Sequence, residues 1–448
     1  MKEIKPLIHY KINKILNKLP EKIFELLNVF WSPLHLIFPE IFIENVNYFK
    51  NIYSKYSLNW NIYFACKANK WKSFLSVASK CWIWVDVSSK YELQSALSEW
   101  IPWKNISISW PSKNNDFLLL AVRHGCNIII DSINEIDFLR TIRKKNEKIN
   151  ILIRINDINF WVSRFWFTFK DIKSIYKKLY NDFDIIWLAF HLNWYSIEQR
   201  INLIGKIFIE FKSLRDYWYT CNILNIWWWF TINYFSKENW GIIKNYINKK
   251  NFYKKIEFSN YYPYYTDNPK DIFLEKILLS KIDWIHIYEL INNYWINLHV
   301  EPWRALLDQA WITLFKVKWV KKANNNDNLV NVDGNFNHLS EQWFNTDFLP
   351  TPIFLKKTDL GSNIFKSSIA WNTCMENDIL TYRKINFNWT PNHWDILIYV
   401  NTAWYQMDSN ETSFHKIPIP NKLSVYNIKW YKFNYKLDEQ FTELDLNY

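Results

Sequence analysis

Short apolar runs alternate along the first two-thirds of the chain with longer amphipathic segments. Eight of these runs are rich in Ile, Val and Leu, and they lie at 62–66, 83–87, 106–109, 127–131, 151–155, 186–191, 222–226 and 296–300. Helix-like segments such as 91–99 and 133–145 separate them, with apolar residues recurring every three or four positions. Eight alternations of strand and helix predict an α/β fold, a TIM-like (β/α)₈ barrel with a parallel sheet.

The two flanks of this repeating region have different patterns. Beyond Arg304, segments such as NLVNVDGN, DILIYV and LSVYNIKWYKF are short strands with turn signals and little helix, which indicates a C-terminal all-β domain. The first 30 residues place apolar side chains at helical spacing. We therefore expect an N-terminal helical segment with a lead-in strand at 1–34, a barrel at 35–305 and a β-domain at 306–448.

Reactive side chains follow the predicted strands at the ends where barrel enzymes carry their active sites. A lysine, two acids, two arginines and a histidine occupy these positions: Lys67, Asp86, Arg154, His191, Glu301 and Arg304. Because the carboxyl ends of parallel strands meet at one mouth of a barrel, we expect these side chains to form one site.

The glycine and tryptophan counts are unusual and change how the motifs are interpreted. The chain has 5 Gly and 28 Trp in 448 residues, whereas average usage of roughly 7% predicts about 31 Gly. The sum of the two counts is close to that number, which suggests that many Trp stand at glycine positions. With Gly in place of Trp, NIWWWF becomes a glycine run after the seventh strand and EPWR becomes EPGR. Such a glycine run lets backbone N–H groups surround a phosphate.

These motifs, in this order, resemble the fold-type III decarboxylases that use pyridoxal 5'-phosphate (PLP), the ornithine and diaminopimelate decarboxylase group. The resemblance extends from about residue 31 to 448 and rests on these segments: WSPLHLIF, YFACKANK, VDVSSKYEL, SRFWF, FHLNWYS, NIWWWF, EPWR, NTCMENDIL and HWDILIYVNTAWYQM. It implies a PLP-dependent amino-acid decarboxylase that works as a homodimer, with the active site shared across the interface.

The resemblance also implies a role for each matching residue. Lys67 matches the lysine that forms a Schiff base with PLP, His191 the histidine stacked on the ring, and Glu301 the partner of the pyridine nitrogen. Asp86 and Arg154 match positions that flank the cofactor. The phosphate cradle corresponds to Trp227, Trp228, Trp229, Arg304, Ser196 and Tyr405. Cys374 matches the cysteine that reaches the partner's site and handles the proton step after decarboxylation.

Departures from the family pattern leave the substrate open. Met375 replaces the acid that usually follows the cysteine, and an Arg-Pro element of diaminopimelate decarboxylases is absent near SEQWFNTDFLP. The histidine motif, HLNWYS, is one residue longer than the common form. Glu376 or Asp378 remains a candidate for binding a distal amine on a substrate of the diaminopimelate, ornithine or lysine type. Chirality, and whether the substrate is free or carrier-bound, also stay open.

Three other functions compete with decarboxylation. A PLP-dependent racemase on the same fold would need a second base on the opposite face of the ring. A non-catalytic dimerising relative would use the same dimer surface but would not bind PLP at Lys67. Nucleic-acid binding is disfavoured, because the residues behind the net charge of +12 are scattered along the chain and form no basic stripe.

Other sequence features predict a cytoplasmic protein without a metal. Five widely spaced Cys without a CxxC pair indicate free thiols. The N-terminus has no apolar signal-peptide core, and no stretch of about 20 residues is apolar and uncharged, so we expect no membrane span.

Taken literally, the Trp residues are incompatible with cofactor binding. Three consecutive indoles at 227–229 would fill the phosphate site, and Trp303 would lie between Glu301 and Arg304. A left-handed backbone at any one of them would cost about 1–2 kcal/mol. Our hypothesis is that the gene uses UGA for glycine. Not every Trp need be a glycine, and Trp430 is a candidate for a genuine one.

Overall fold

A computed structural model gives the fold. It describes residues 4–145, 147–155, 167–168, 179, 181–190, 195–216, 219, 221–226, 230–256, 260–261, 264–324, 326–335, 337–339, 346–347, 351–356, 364–403, 405 and 411–446. The helices of this part are α1 Tyr10–Lys18, α2 Pro20–Val29, α3 Pro39–Lys55, α4 Lys72–Lys80, α5 Lys90–Ser98, α6 Asn115–His124, α7 Ile133–Ile142, α8 Ile197–Asp216, α9 Lys237–Tyr246, α10 Lys270–Leu279, α11 Ile287–Asn293 and α12 Trp303–Leu306.

The strands are β1 Leu34–Ile37, β2 Trp60–Ala65, β3 Trp84–Val87, β4 Ile106–Ile108, β5 Asn127–Ile130, β6 Ile149–Ile155, β7 Phe183–Phe190, β8 Ile223–Asn225, β9 Asn260–Tyr261, β10 Lys281–Ile282, β11 Ile285–His286, β12 Asn297–Val300, β13 Trp311–Lys322, β14 Asn328–Val332, β15 Thr346–Asp347, β16 Ile353–Leu355, β17 Phe365–Ala370, β18 Ile379–Phe387, β19 Ile396–Val400, β20 Asn421–Tyr426 and β21 Asn434–Leu437.

Eight parallel strands close into a barrel in the order β12-β2-β3-β4-β5-β6-β7-β8. They coincide with the eight apolar runs of the sequence, because strands covered on both faces need apolar side chains on both faces. Inside the barrel, Tyr63, Ile129 and Leu152 form a buried cluster against which Trp84 and neighbouring aliphatic side chains pack. The predicted α/β barrel with a separate all-β domain is confirmed.

The β-domain is a nine-stranded sheet. Its main path is β18-β17-β14-β13-β1-β20-β21, and β19 pairs with β13 and β16. β1 lies between β13, to which it is antiparallel, and β20, to which it is parallel. A strand from the start of the chain therefore completes a sheet made mostly from its end.

The chain separates into two compact units. One contains 1–42, 232–267 and 307–448, and the other contains 43–231 and 268–306. The first unit therefore includes the N-terminal helices, which we expected as a separate segment at 1–34. It also includes the insertion 232–267, which our expected ranges placed within the barrel at 35–305. The insertion holds α9, two 3₁₀ turns and β9, and β9 pairs with β15.

Five of the described helices end in one hydrogen-bonding motif with a left-handed residue. In three of them this residue is Trp, and in α3 it is Ser57, with φ of 53°. Trp82 follows α4, Trp100 follows α5 and Trp295 follows α11, with φ of 57°, 59° and 52°. Gly125 stands at the same place after α6, with φ of 70°. In α4 the Trp82 N–H donates to Ser79 O and the Ile83 N–H to Ala78 O. This pair of bonds is the Schellman motif, and α3, α5, α6 and α11 repeat it.

A tight hairpin shows the same substitution. β10 and β11 are antiparallel, with Ile282 opposite Ile285, so the loop between them has two residues. Asp283 and Trp284 have φ of 47° and 71°. Two-residue hairpin loops with positive φ at both positions strongly favour Asp-Gly or Asn-Gly. Here Trp occupies the position that usually holds glycine.

Candidate active site

Lys67 is the centre of a buried polar cluster in the barrel unit. It lies in the 3₁₀ turn Cys66–Ala68, directly after β2. Its Nζ donates to Asp86 Oδ2 at 3.0 Å and lies 3.5 Å from Glu301 Oε1. The side chain is only 15% exposed. The structure therefore brings together three of the predicted residues, from the ends of three neighbouring barrel strands.

Asp86 is fully buried in β3 and is held by hydroxyl groups from the next strand. Ser107 Oγ donates to Asp86 Oδ1 at 2.8 Å, and Ser109 Oγ donates to Asp86 Oδ2 at 2.5 Å. Together with Lys67, these donors fix the carboxylate. Asp86 is thus the link between the lysine and β4.

Glu301 follows β12 and is 1% exposed. Burial raises the pKa of its carboxyl well above the usual range, while the charges of Lys67 and Arg154 act in the opposite direction. Within the described part of the chain, its Oε1 accepts no hydrogen bond, and the Lys67 ammonium lies 3.5 Å away. A buried carboxylate oxygen of this kind is suited to an N–H group of a ligand.

Arg154 and Arg304 are both buried. Arg154 Nη2 donates to the Ser109 carbonyl at 2.7 Å, and its Nη1 lies 3.5 Å from Asp131 Oδ1. Arg304 lies in α12, with its guanidinium 5.1 Å from the centre of the Trp303 ring. Trp303 is itself 1% exposed, so the indole fills the space beside this arginine.

The remaining predicted residues of the barrel unit are only partly described. Ser196 precedes α8, and its Oγ accepts the Gln199 N–H at 3.2 Å. This hydroxyl therefore caps the helix. His191 and Trp227–Trp229 lie outside the described residues.

Cys374, Glu376, Asp378 and Tyr405 belong to the unit that contains the β-domain. Cys374 is exposed, and its Sγ lies 3.8 Å from His415 Nε2. Glu376 accepts a hydrogen bond from Lys254 Nζ at 2.9 Å. Asp378 is buried and accepts hydrogen bonds from the Thr373 hydroxyl and backbone N–H, so it closes its own turn. Tyr405 is half-buried with φ of 44°.

Several polar residues of the cluster were not predicted from the sequence. Ser107 and Ser109 are two positions apart on and just after β4, so their alternation was a usable signal for one side of the strand. Glu92 accepts the Ser88 N–H at 2.6 Å, and burial raises the pKa of its carboxyl while the Ser88 N–H and Lys67 lower it. The capping spacing from Ser89 to Glu92 pointed only to a helix start.

The described residues contain neither a metal-binding cluster nor a candidate membrane-spanning helix. No group of three or more His, Cys, Asp or Glu side chains there could hold a metal ion. Among the same residues, no helix combines the length and the apolar character that crossing a membrane requires.

Comparison with known proteins gives a match to a family model over part of the chain, and a shared fold. Residues 42–165 match the family model described as the pyridoxal binding domain of pyridoxal-dependent decarboxylases. The uncharacterized protein y4yA of Sinorhizobium fredii (strain NBRC 101917 / NGR234) is 25% identical over 412 residues, which cover 88% of each chain. Diaminopimelate decarboxylase of Bacillus methanolicus is 29% identical over 134 residues, 29% of this chain and 31% of that protein.

The fold is shared with solved enzymes. The structure of diaminopimelate decarboxylase from Helicobacter pylori complexed with L-lysine matches with a TM-score of 0.71 and 15% identity, and the match covers 92% of this chain and 95% of that one. The matching family model and the shared architecture support the resemblance of this chain to the fold-type III PLP decarboxylases.

Proposed function

We propose that this protein is a PLP-dependent amino-acid decarboxylase in which Lys67 binds the cofactor covalently. The observation that carries the proposal is the buried contact of the Lys67 amine with Asp86 at 3.0 Å and Glu301 at 3.5 Å. When bound, PLP withdraws electron density from the substrate carbon that loses CO₂.

Glu301 is the proposed partner of the pyridine nitrogen. Its buried Oε1 accepts no hydrogen bond from the described residues, and a donor from the ligand would remove this desolvation penalty. A carboxylate in contact with the nitrogen also favours the protonated ring. Glu301 therefore both orients the ring and maintains its charge.

Lys67 must react as a neutral amine. Its partial burial favours loss of the proton, whereas the adjacent carboxylates favour the ammonium. Asp86 orients the amine and is itself held by Ser107 and Ser109. The lysine is thus held close to its reaction position before any ligand arrives.

The other roles in the proposal follow the resemblance. Arg154 flanks the cofactor and His191 stacks on its ring, while the phosphate is held by 227–229, Ser196, Arg304 and Tyr405. Cys374 donates a proton in the site of the partner subunit, which makes the working form a homodimer. We place the protein in the cytoplasm, as its free thiols indicate.

The substrate is an amino acid of the diaminopimelate, ornithine or lysine type or a related one. Glu376 and Asp378 were candidates for binding a distal amine. Since Glu376 is paired with Lys254 and Asp378 closes its own turn, a distal ammonium must displace one of these contacts to use either acid.

The test is CO₂ release by protein reconstituted with PLP, over basic and acidic amino acids of both chiralities. Lys67→Ala should abolish both the visible absorbance of lysine-bound pyridoxal and the activity. Lys70→Ala, which removes an exposed lysine three residues away, is the matched control and should retain both. Epimerised product without CO₂ would point to a racemase. No change in absorbance on adding PLP would point to the non-catalytic relative.

We further propose that UGA encodes glycine in this gene and that Trp stands for glycine at the cofactor site. Six of the 18 non-glycine residues with positive φ in the described chain are Trp, namely Trp31, Trp82, Trp100, Trp284, Trp295 and Trp394. A bulky residue with positive φ is a genuine outlier, whereas glycine adopts this conformation readily. Gly125 at the equivalent helix end supports the same interpretation.

At the site, the substitution would change the environment of the cofactor. Glycine at 303 would remove the indole beside Arg304, and glycines at 227–229 would leave backbone N–H groups accessible to phosphate. Peptide mass spectrometry of protein from its native source, over 222–230 and over peptides with positions 82 and 100, tests the proposal. Glycine masses at these positions support it, and tryptophan masses exclude it.

A further inference from the structure

A second buried ionic group lies beside the Lys67 cluster in the barrel unit. Asp131 follows β5 and is 1% exposed. Its backbone N–H donates to Glu135 Oε2 at 2.9 Å, and Glu135 Oε1 accepts a hydrogen bond from Lys113 Nζ at 2.9 Å. The hydrogen bond to Glu135, a residue of α7, thus fixes the backbone position of Asp131.

The Asp131 carboxylate is poorly satisfied. Neither oxygen accepts a hydrogen bond from the described residues. Its nearest cation is Arg154, whose Nη1 lies 3.5 Å from Oδ1. Burial raises the pKa of the Asp131 carboxyl, and the charges of Arg154 and Lys113 lower it. An acid kept in such a position needs a reason other than its own hydrogen bonding.

Arg154 connects Asp131 to the reactive lysine. Its other amino group, Nη2, donates to the Ser109 carbonyl at 2.7 Å. The hydroxyl of the same serine donates to Asp86, which accepts a hydrogen bond from Lys67. One continuous series of contacts therefore joins Asp131 to Lys67 across strands β6, β4, β3 and β2.

Charged groups of both signs lie along the same route, three cations and four acids. The cations Lys67, Lys113 and Arg154 face the acids Asp86, Asp131, Glu135 and Glu301. Without the charge of Asp131, Arg154 would be a buried cation whose field reaches Glu301 and the lysine, because charges are weakly screened in a protein interior.

We propose, on the basis of the proposed function, that Asp131 is a positioning residue for the amine of Lys67. It holds the Arg154 guanidinium against the Ser109 carbonyl and neutralises its charge. The Ser109 hydroxyl then stays on Asp86, and Asp86 stays on Lys67. Asp131 itself contacts neither substrate nor cofactor in this role.

The expected signature is a shift in the pH at which Lys67 reacts. Two sets of groups act on this pH. The titratable and charged groups around Lys67 are Tyr63, Cys66, Asp86, Glu92 and Glu301, and those around Asp131 are Lys67, Lys113, Glu135 and Arg154. Asp131→Asn removes a negative charge and takes from Arg154 the carboxylate that lies 3.5 Å from it. The positive field at Lys67 rises, which disfavours its ammonium form. The pH midpoint should fall by roughly 0.5 unit or more.

The experiment follows the binding of PLP to cofactor-free full-length protein as a function of pH. Visible absorbance and the mass of borohydride-trapped protein report the fraction of Lys67 that is modified. Asp131→Glu keeps the charge and should keep the midpoint of the unsubstituted protein. Asp137→Asn, the same change at an exposed position of α7, is the matched control and should also leave it unchanged.

The outcomes separate the two proposals. If the unsubstituted protein traps no pyridoxal, the proposed function fails. If it does and Asp131→Asn has the same midpoint, or Asp131→Glu shifts as far as Asp131→Asn, the positioning role is refuted. Should Asp131→Asn not fold, Asp131→Ser removes the same charge with a smaller side chain. A lowered midpoint in Asp131→Ser supports the role of Asp131, and an unchanged or raised midpoint overturns it.

Discussion

Replacing three helix-terminal tryptophans with glycine should stabilise the chain as written. Trp82, Trp100 and Trp295 each hold a left-handed φ between 52° and 59° directly after a helix. An L-residue in this conformation costs about 1–2 kcal/mol. The three indoles are 72%, 88% and 85% exposed, so little buried area offsets that cost. Because each lies at the end of a different helix, the effects should add to about 3–6 kcal/mol.

The assay is denaturant unfolding of the triple variant Trp82→Gly, Trp100→Gly, Trp295→Gly beside the unsubstituted chain. All three positions lie in the barrel unit, so a probe of that unit should show a higher midpoint. The expected gain is large relative to the about 5–15 kcal/mol that domains commonly have. Trp319→Gly is the matched control, since Trp319 is 66% exposed but lies within strand β13 and is not among the positive-φ residues.

The control should behave in the opposite way. Glycine inside a strand costs about 0.5–1 kcal/mol through the entropy of the unfolded chain, so Trp319→Gly should lower the midpoint. An unchanged or lowered midpoint in the triple variant would refute the argument that these backbone positions require glycine. A rise in Trp319→Gly as large as in the triple variant would show that removing any exposed indole suffices.

Three further outcomes follow from the burial of ionisable groups. Glu301→Gln should slow CO₂ release at least about tenfold, since one pKa unit of ring basicity corresponds to about 1.4 kcal/mol. Covalent PLP binding at Lys67 should remain detectable by absorbance in this variant. Full activity would exclude Glu301 as the partner of the pyridine nitrogen. Lys113→Met should cost about 3–5 kcal/mol in an unfolding assay because it leaves Glu135 buried without its cation, and a variant with Glu135→Leu in addition should recover most of the loss. Burial raises the pKa of the Cys81 thiol from 9.0 to about 11, so as the pH rises the thiol ionises first in the unfolded chain. The folded protein therefore keeps its full stability below about pH 9 and loses part of it between about pH 9 and pH 11. Cys81→Ser should flatten that part of the curve of unfolding free energy against pH.

The local pattern was sufficient for the barrel. Each of the eight apolar runs became a barrel strand, because hydrophobic periodicity and strand length are properties of neighbouring residues. The positions of Lys67, Asp86 and Glu301 at strand ends were also sufficient to expect them at one mouth. The helix-terminal tryptophans, by contrast, contradict local preference and became informative only with their φ angles.

The sequence by itself determined that eight apolar runs form strands, that helices alternate with them and which reactive side chains stand at the strand ends. Only the tertiary structure decided that β1 joins the β-domain between β13 and β20, that 232–267 belongs to that unit, and that Ser109 joins Arg154 to Asp86. The physical reason is that pairing between strands and burial of charge depend on residues far apart in the chain. No local periodicity records which distant donor will satisfy a buried carboxylate.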